Sequence, residues 1–130
     1  SGVDVAEMVA KSLSLPKNEK FNGTRKGILD PKKLSFEERN ELIKKNPAYG
    51  QIICRCESIT VGEIIDAITR TLGARSLDGI KRRTRAGMGR CQAGFCTPRQ
   101  MDLLEKYAHL TPEQVTKSGG NSILVFGKTK

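Results

Sequence analysis

The fold is decided by the stretch Ile52-Ile-Cys54-Arg-Cys56-Glu-Ser-Ile-Thr60-Val-Gly-Glu63, in which two cysteines precede the start of a helix. Residues i and i+2 of an extended segment point to the same side, so Cys54 and Cys56 can present two sulfur atoms together. Thr60 and Glu63 match a capping box, because each side chain can accept a hydrogen bond from the other residue's backbone N–H. We therefore expect an extended cysteine pair followed by a helix from Val61 to about Leu72.

A second cysteine pair lies in the glycine-rich stretch Gly87-Met-Gly-Arg-Cys91-Gln-Ala-Gly94-Phe-Cys96. On a helix, five residues turn through about 500°, which would leave Cys91 and Cys96 about 140° apart. This stretch is therefore predicted to be a loop, in which Gly94 lets the chain fold back. Thr97-Pro98 then predicts a helix to about Ala108. Both pairs precede a helix N-terminus, whose free N–H groups favour a thiolate or a negatively charged cofactor.

The remaining elements follow from apolar periodicity and helix caps. Apolar residues on one face predict a helix over residues 3–13, and a capping box at Ser35 predicts one over residues 36–45. A polar, Lys- and Gly-rich linker joins these two helices. Further predictions are an extended segment over residues 49–54, a short helix over 77–86, one turn after Thr111, and an edge strand or ordered arm over 122–126. The predicted fold class is mainly α: a small helix-turn-helix domain with cysteine-bearing loops, extra N-terminal helices and a short C-terminal strand or arm.

Composition and charge narrow the function classes. The chain has 130 residues, 5% aromatics and no Trp, so its core is expected to consist of Ile, Leu, Val and Met. The longest apolar run, Ile123 to Phe126, is far shorter than the roughly 20 residues that a membrane-spanning helix needs. The net charge of +9 favours anionic partners. Four clustered cysteines without a secretory leader predict a cytoplasmic protein that holds a metal, rather than a disulfide-bonded secreted domain.

Cysteine spacing narrows the choice of cofactor without settling it. Structural zinc sites usually use C-x2-C pairs, and neither pair here has two intervening residues. The plant-type ferredoxin pattern contains C-x4-C, as Cys91 and Cys96 do, but it also has a C-x2-C that this chain lacks. Spacing therefore favours an iron–sulfur centre on four cysteines over zinc and leaves both open.

The two cysteine motifs carry a family resemblance. The segments Ile-Ile-Cys54-Arg-Cys56-Glu-Ser-Ile-Thr-Val-Gly-Glu and Gly-Met-Gly-Arg-Cys91-Gln-Ala-Gly-Phe-Cys96-Thr-Pro-Arg resemble the domain named after bacterioferritin-associated ferredoxin, here called BFD-like. More narrowly, they are similar to its version at the C-terminus of anaerobic-type, FAD-dependent glycerol-3-phosphate dehydrogenases. The resemblance implies a 2Fe–2S cluster held by Cys54, Cys56, Cys91 and Cys96. The free-standing ferredoxin has C-x-x-C as its second pair, so the second loop is expected to differ from it.

The resemblance also implies a role within a longer oxidoreductase. Residues 1–33 would be the tail of a preceding FAD domain plus a linker, residues 34–126 the BFD-like domain, and residues 127–130 a C-terminal tail. The domain would accept electrons from FAD in that parent domain and pass them to an electron acceptor or partner subunit. No catalytic residues are assigned, since no Ser/His/Asp set, carboxylate pair or phosphate loop is visible. The alternative is a structural four-cysteine zinc site or a metal-free docking module for a partner subunit.

Basic residues flank the second cysteine pair, with no acidic residue between Asp78 and Asp102. They are Lys81, Arg82, Arg83, Arg85, Arg90 and Arg99. These residues are expected to compensate the charge of a cluster, to dock an acidic partner or to form an ordinary solvated face. We do not expect nucleic acid as a partner, because the cysteines would then have no role. Met88 and Phe95 are expected to shield the cluster, and His109 to occupy a helix C-terminus rather than to bind metal.

Overall fold

The structure is a computed structural model that describes residues 1–14 and 16–127. Seven helices and strands follow one another along these residues: α1 (Gly2–Ser12), α2 (Phe36–Lys45), β1 (Ile52–Cys54), β2 (Ile59–Thr60), α3 (Val61–Thr69), α4 (Leu77–Thr84) and α5 (Thr97–Ala108). Single 3-10 turns lie at Pro31–Lys33, Pro47–Gly50 and Pro112–Gln114. The protein is therefore mainly α, as predicted from the sequence.

Helix starts agree with the capping motifs, whereas two helix ends differ from the prediction. Capping boxes are present at Ser35 and Thr60, and α2 and α5 have the predicted bounds. Helix α3 ends at Thr69 instead of near Leu72, because the backbone of Arg70 is already extended. Helix α4 ends at Thr84, two residues before the prediction, because Arg85 adopts a left-handed conformation with φ of 70°.

The residues before the first cysteine pair form more structure than the sequence predicted. Strand β1 pairs antiparallel with β2, joining Ile52 to Thr60 and Cys54 to Ile59 with an irregularity between them. Tyr49 lies in a 3-10 turn rather than in an extended segment. Because the hairpin turns after Cys54, that cysteine is buried in the core while Cys56 lies exposed in the turn.

Helices α3, α4 and α5 pack around one core. Its fully buried side chains include Ile59, Ile64, Ile80, Leu104 and Val115, each at most 1% exposed. Cys54 and Cys96 belong to the same cluster of buried residues. Because both cysteines are part of the core, packing of the helices fixes one half of the candidate site.

The C-terminal region is an arm attached to the start of α4. Thr116 makes single bridges to Ser76 and to Ile123, and the backbone N–H of Leu77 donates to the Thr116 carbonyl at 3.1 Å. Of the two forms predicted for residues 122–126, the described residues adopt the arm. Of the predicted tail over residues 127–130, positions 128–130 lie outside the described residues.

Helix α1 stands apart from the core. None of its residues is buried, and Val3, Val5, Met8 and Val9 are between 44% and 67% exposed. Its apolar face thus has no partner among the described residues. Among the described residues, no helix combines the length and the apolar character that crossing a membrane requires.

Candidate metal centre

The structure brings the four cysteines together at one cavity of about 510 Å³. Its lining consists of the four cysteines with Ile53, Arg55, Arg90, Phe95 and Arg99. All four thiols are free, and the Sγ atoms of Cys56 and Cys91 lie 3.5 Å apart. Segments separated by 34 residues in the sequence therefore meet at one site that is rich in sulfur ligands.

The thiols form two pairs, and each pair takes one cysteine from each motif. Cys56 and Cys91 form the outer pair, which is closer to solvent. Cys54 and Cys96 form the inner pair, with 1% and 2% of their surfaces exposed. Among the described residues, no group of three or more His, Cys, Asp or Glu side chains is placed to hold a single metal ion.

The close approach of the two cysteine loops depends on Gly89. A Cβ atom at this position would meet the Cys56 Cβ at 2.2 Å, far inside any real contact between side chains. The backbone of residue 89 thus lies directly against Cys56. A glycine at this position therefore lets the two cysteine loops approach each other closely.

The second cysteine loop turns at residues other than the predicted glycine. Gln92 and Ala93 have positive φ angles of 47° and 69°, whereas Gly94 has none. Two consecutive left-handed residues with side chains are an energetically costly conformation that packing around the loop must support. The backbone N–H of Gly94 donates to the Cys91 carbonyl at 3.0 Å, which closes this tight loop over the cavity.

Two N–H groups donate to the inner cysteine pair. The Gly87 backbone N–H donates to Cys54 Sγ at 3.5 Å, and the Gln100 Nε2–H donates to Cys96 Sγ at 3.0 Å. Gln100 is 2% exposed, so its amide is held in place by the core. Sequence reasoning missed Gln100, although its position one helical turn after Cys96 was an available signal.

The two pairs differ in their electrostatic surroundings. The hydrogen bond from Cys56 lowers the pKa of Cys91, and the backbone N–H groups of Ala93, Phe95 and Gly94 act in the same direction. Burial raises the pKa of Cys96, and the neighbouring Cys54 adds to that increase, whereas the Gln100 hydrogen bond opposes it. The protein surroundings therefore favour a thiolate at Cys91 over one at Cys96.

Four of the six basic residues predicted near the site fall into two groups. Arg90 and Arg99 line the cavity, as does Arg55, which lies between the first two cysteines and was not singled out from the sequence. Arg85 forms an ion pair with Glu57 at 2.9 Å. Arg83 donates to the carbonyls of Gly79 and Leu72. The last two arginines thus serve local structure.

The remaining candidate residues have simpler positions. Phe95 lines the cavity, but its side chain is 86% exposed, and Met88 is 42% exposed. These two side chains therefore leave the cavity open to solvent rather than shielding it as predicted. His109 is the C-cap residue of α5, in agreement with its predicted position at a helix end.

Comparisons with known proteins connect this site to a family. The family model of the BFD-like 2Fe–2S binding domain matches residues 52–106, a range that contains all four cysteines. The match supports an iron–sulfur cofactor. A search of solved structures finds none that matches the chain.

Three relatives have known names. A glycerol 3-phosphate dehydrogenase of Caloramator mitchellensis is 46% identical over 98% of this chain and 26% of its own length. In Haemophilus influenzae, one subunit of the anaerobic glycerol-3-phosphate dehydrogenase is 36% identical over 58% of this chain and 13% of its own length. The HcnB subunit of the hydrogen cyanide synthase of Pseudomonas aeruginosa is 46% identical over 42% of this chain and 11% of its own length.

The chain thus spans about a quarter of the first relative and a smaller part of the other two. Both cysteine motifs, the helices that carry them and the family match lie within the same range of residues. Residues 52–106 therefore belong to the family of BFD-like 2Fe–2S binding domains.

Proposed function

We propose that Cys54, Cys56, Cys91 and Cys96 hold a 2Fe–2S cluster, through which the domain transfers single electrons. The observation that carries this proposal is the arrangement of four free thiols in two pairs around one cavity. When bound, such a cluster accepts and releases one electron at a time at a potential that its surroundings adjust.

The paired arrangement suits two irons better than one zinc ion. A tetrahedral zinc site needs all four sulfur atoms about 2.3 Å from one point. A binuclear cluster instead needs two cysteines at each iron, which the outer and inner pairs would supply. Division of the thiols into one solvent-facing pair and one core pair therefore favours the binuclear form.

The surrounding residues have distinct tasks in this proposal. The inner pair anchors the site in the core, so the helices hold its position. The Gly87 N–H and the Gln100 amide direct positive hydrogen atoms toward the inner sulfurs, which stabilises negative charge there. The three arginines of the cavity lining add positive charge near its opening.

We further propose that the domain works inside a longer, FAD-dependent oxidoreductase resembling glycerol-3-phosphate dehydrogenase. In that arrangement residues 1–33 are the tail of the FAD domain plus a linker, residues 34–126 the BFD-like domain and residues 127–130 a tail. The unpartnered apolar face of α1 supports this division. In this proposal the parent chain, not this domain, binds the substrate, because relatives that share the domain have two different enzyme names. Free thiols suit the reducing cytoplasm.

The test is the visible absorption spectrum of the 130-residue chain purified without oxygen. The proposal predicts sulfur-to-iron charge-transfer bands that dithionite bleaches by one electron per chain. A colourless chain that contains one zinc ion would instead establish the structural zinc site. A third outcome is a folded chain that stays colourless and metal-free even after anaerobic reconstitution with iron and sulfide. That result would establish a metal-free docking module.

A further inference from the structure

Three arginines with no acidic partner surround the opening of the cysteine cavity. Arg55, Arg90 and Arg99 all line it, and all three are exposed. The described residues form five ion pairs, and none of these pairs includes one of the three arginines. The cavity lining contains no aspartate or glutamate among these residues. Positive charge is therefore concentrated where the candidate metal centre opens to solvent.

An aromatic side chain lies at the same opening. Phe95 is part of the cavity lining and is 86% exposed, although it stands between two cysteines in a tightly closed loop. Nearby, Arg99 donates from Nη1 to the carbonyl of Ile52 at 3.2 Å, and Ile52 is itself 48% exposed. Exposed aromatic and arginine side chains that lie together are the residue types that dominate binding energy in protein interfaces.

We propose that Arg55, Arg90, Phe95 and Arg99 form a docking face for an acidic protein that exchanges electrons with the domain. This inference rests on the proposed function. Charge complementarity selects the partner, since three unpaired guanidinium groups around the cavity attract a surface rich in carboxylates. Docking at this face brings the partner to the open side of the cysteines, where an electron has the shortest path through protein.

The exchange itself involves one electron and no bond or proton. The reduced domain is oxidised by one electron, and the partner's redox centre is reduced by one. The face contributes orientation and approach rate, because complementary charges raise association rates by one to three orders of magnitude at low salt.

A matched pair of protein probes tests the charge of the partner. Native cytochrome c is strongly basic, and cytochrome c with succinylated lysines carries the same haem on an acidic surface. The 130-residue chain is reduced with dithionite, freed of excess reductant and mixed with each ferric cytochrome in a stopped-flow instrument. Formation of ferrous haem gives the second-order rate constant at ionic strengths from about 10 to about 300 mM, a range over which charge screening changes strongly.

The proposal predicts opposite salt dependences. The rate with the acidic cytochrome should fall about tenfold or more across this range, while the rate with the basic cytochrome should rise or stay constant. Arg90→Glu and Arg99→Glu should each lower the low-salt rate with the acidic probe about fivefold and reduce its salt dependence. Phe95→Ala should lower that rate at every ionic strength. Arg82→Glu is the matched control, because Arg82 is exposed but does not line the cavity.

Two results would overturn the docking face. One is equal salt dependence with both cytochromes, and the other is an Arg82→Glu effect as large as that of Arg90→Glu. Either result would mean that the opening serves electron exchange with the flavin domain of a longer chain and not the docking of an acidic protein. Failure of the proposed function is distinguishable from failure of the docking face. In that case the purified chain would show no visible absorption bands for dithionite to bleach, before any cytochrome is added. Each variant's reduction potential is recorded, so that a change in driving force is not mistaken for a change in docking.

Discussion

Gly89 and Cys56 lie in such close contact that a Cβ atom at residue 89 would meet the Cys56 Cβ at 2.2 Å. These two residues come from different cysteine motifs, so their contact joins the two halves of the candidate metal centre. Any side chain at position 89 must push the loops apart. The site thus depends on one glycine as directly as on its thiols.

The first prediction concerns this contact. Gly89→Ala should reduce the iron and sulfide retained per chain severalfold, because separating the loops moves Cys56 away from Cys91. Metal analysis and visible absorption after anaerobic purification measure the effect. Gly27→Ala is the control, since a Cβ at Gly27 meets nothing within 4 Å and should leave the metal content unchanged. Full iron retention in Gly89→Ala would show that the loops need not approach so closely.

A second prediction concerns the buried amide of Gln100. Gln100→Leu removes the N–H donor to Cys96 while keeping a side chain of similar size. The reduced, more negative state loses more stabilisation than the oxidised state, so the reduction potential should fall. A hydrogen bond worth about 0.5–1.5 kcal/mol corresponds to about 20–65 mV for one electron.

Protein-film voltammetry measures this shift. The same substitution at the exposed Gln51 is the control, and it should leave the potential within about 10 mV of its original value, because the shift requires a donor that reaches a ligand sulfur. An unchanged potential in Gln100→Leu, with the visible spectrum intact, would limit Gln100 to a packing role.

Much of this fold follows from local sequence signals. Ser35 and Thr60 were recognisable helix caps, and Thr97-Pro98 marked the start of α5 correctly. These motifs act through neighbouring backbone groups, so their effect is visible in a short stretch of sequence. Convergence of the cysteine pairs was also predictable, because each pair precedes a helix N-terminus and the four thiols together were expected to hold one metal centre.

Features that depend on distant contacts were not predictable in the same way. Helix α3 ends early where Arg70 bonds both Asp66 and the carbonyl of Lys26, a residue remote in sequence. Gly73, next to the predicted helix end, packs against the Ile68 carbonyl, which a Cβ would meet at 1.8 Å. The pairing of Arg85 with Glu57 likewise joins residues 28 positions apart. Such contacts exist only once the chain has folded.

A third prediction concerns α1. Because none of its residues is buried, removing residues 1–13 should leave the melting temperature and the visible spectrum of the remaining chain unchanged. Hydrogen exchange of the full chain should show weak amide protection over Val3–Leu13 and strong protection at Ile64 and Leu104, which are fully buried. Strong protection over α1 in the monomer would mean that its apolar face does pack against the domain.

A fourth prediction concerns pH. The hydrogen bond from Lys117 holds the pKa of Asp78 below its ordinary value of 3.8. A pKa lowered by folding means that this ion pair stabilises the protein above the pKa of the unfolded chain, and that the contribution disappears as pH falls through the folded pKa. Asp78→Asn should therefore destabilise the domain near pH 6 by less than about 1 kcal/mol.

Urea unfolding at several pH values measures this difference between the original chain and Asp78→Asn. The difference should shrink as pH falls below about 4, where Asp78 of the unfolded chain becomes protonated. It should disappear once the pH is below the lower pKa of the folded state, where Asp78 is protonated in both states. Asp102→Asn is the control, since Asp102 is exposed and forms no ion pair among the described residues. A difference that grows toward acid would contradict the assigned direction of the pKa.

The most direct test of the metal centre is the content of iron, acid-labile sulfide and zinc in the anaerobically purified chain and its four single Cys→Ala variants. Two irons and two sulfides per original chain, with most of both lost when Cys54, Cys56, Cys91 or Cys96 is replaced, is the predicted result. One zinc without sulfide, or a full complement of iron in a variant that lacks one of these cysteines, would contradict it.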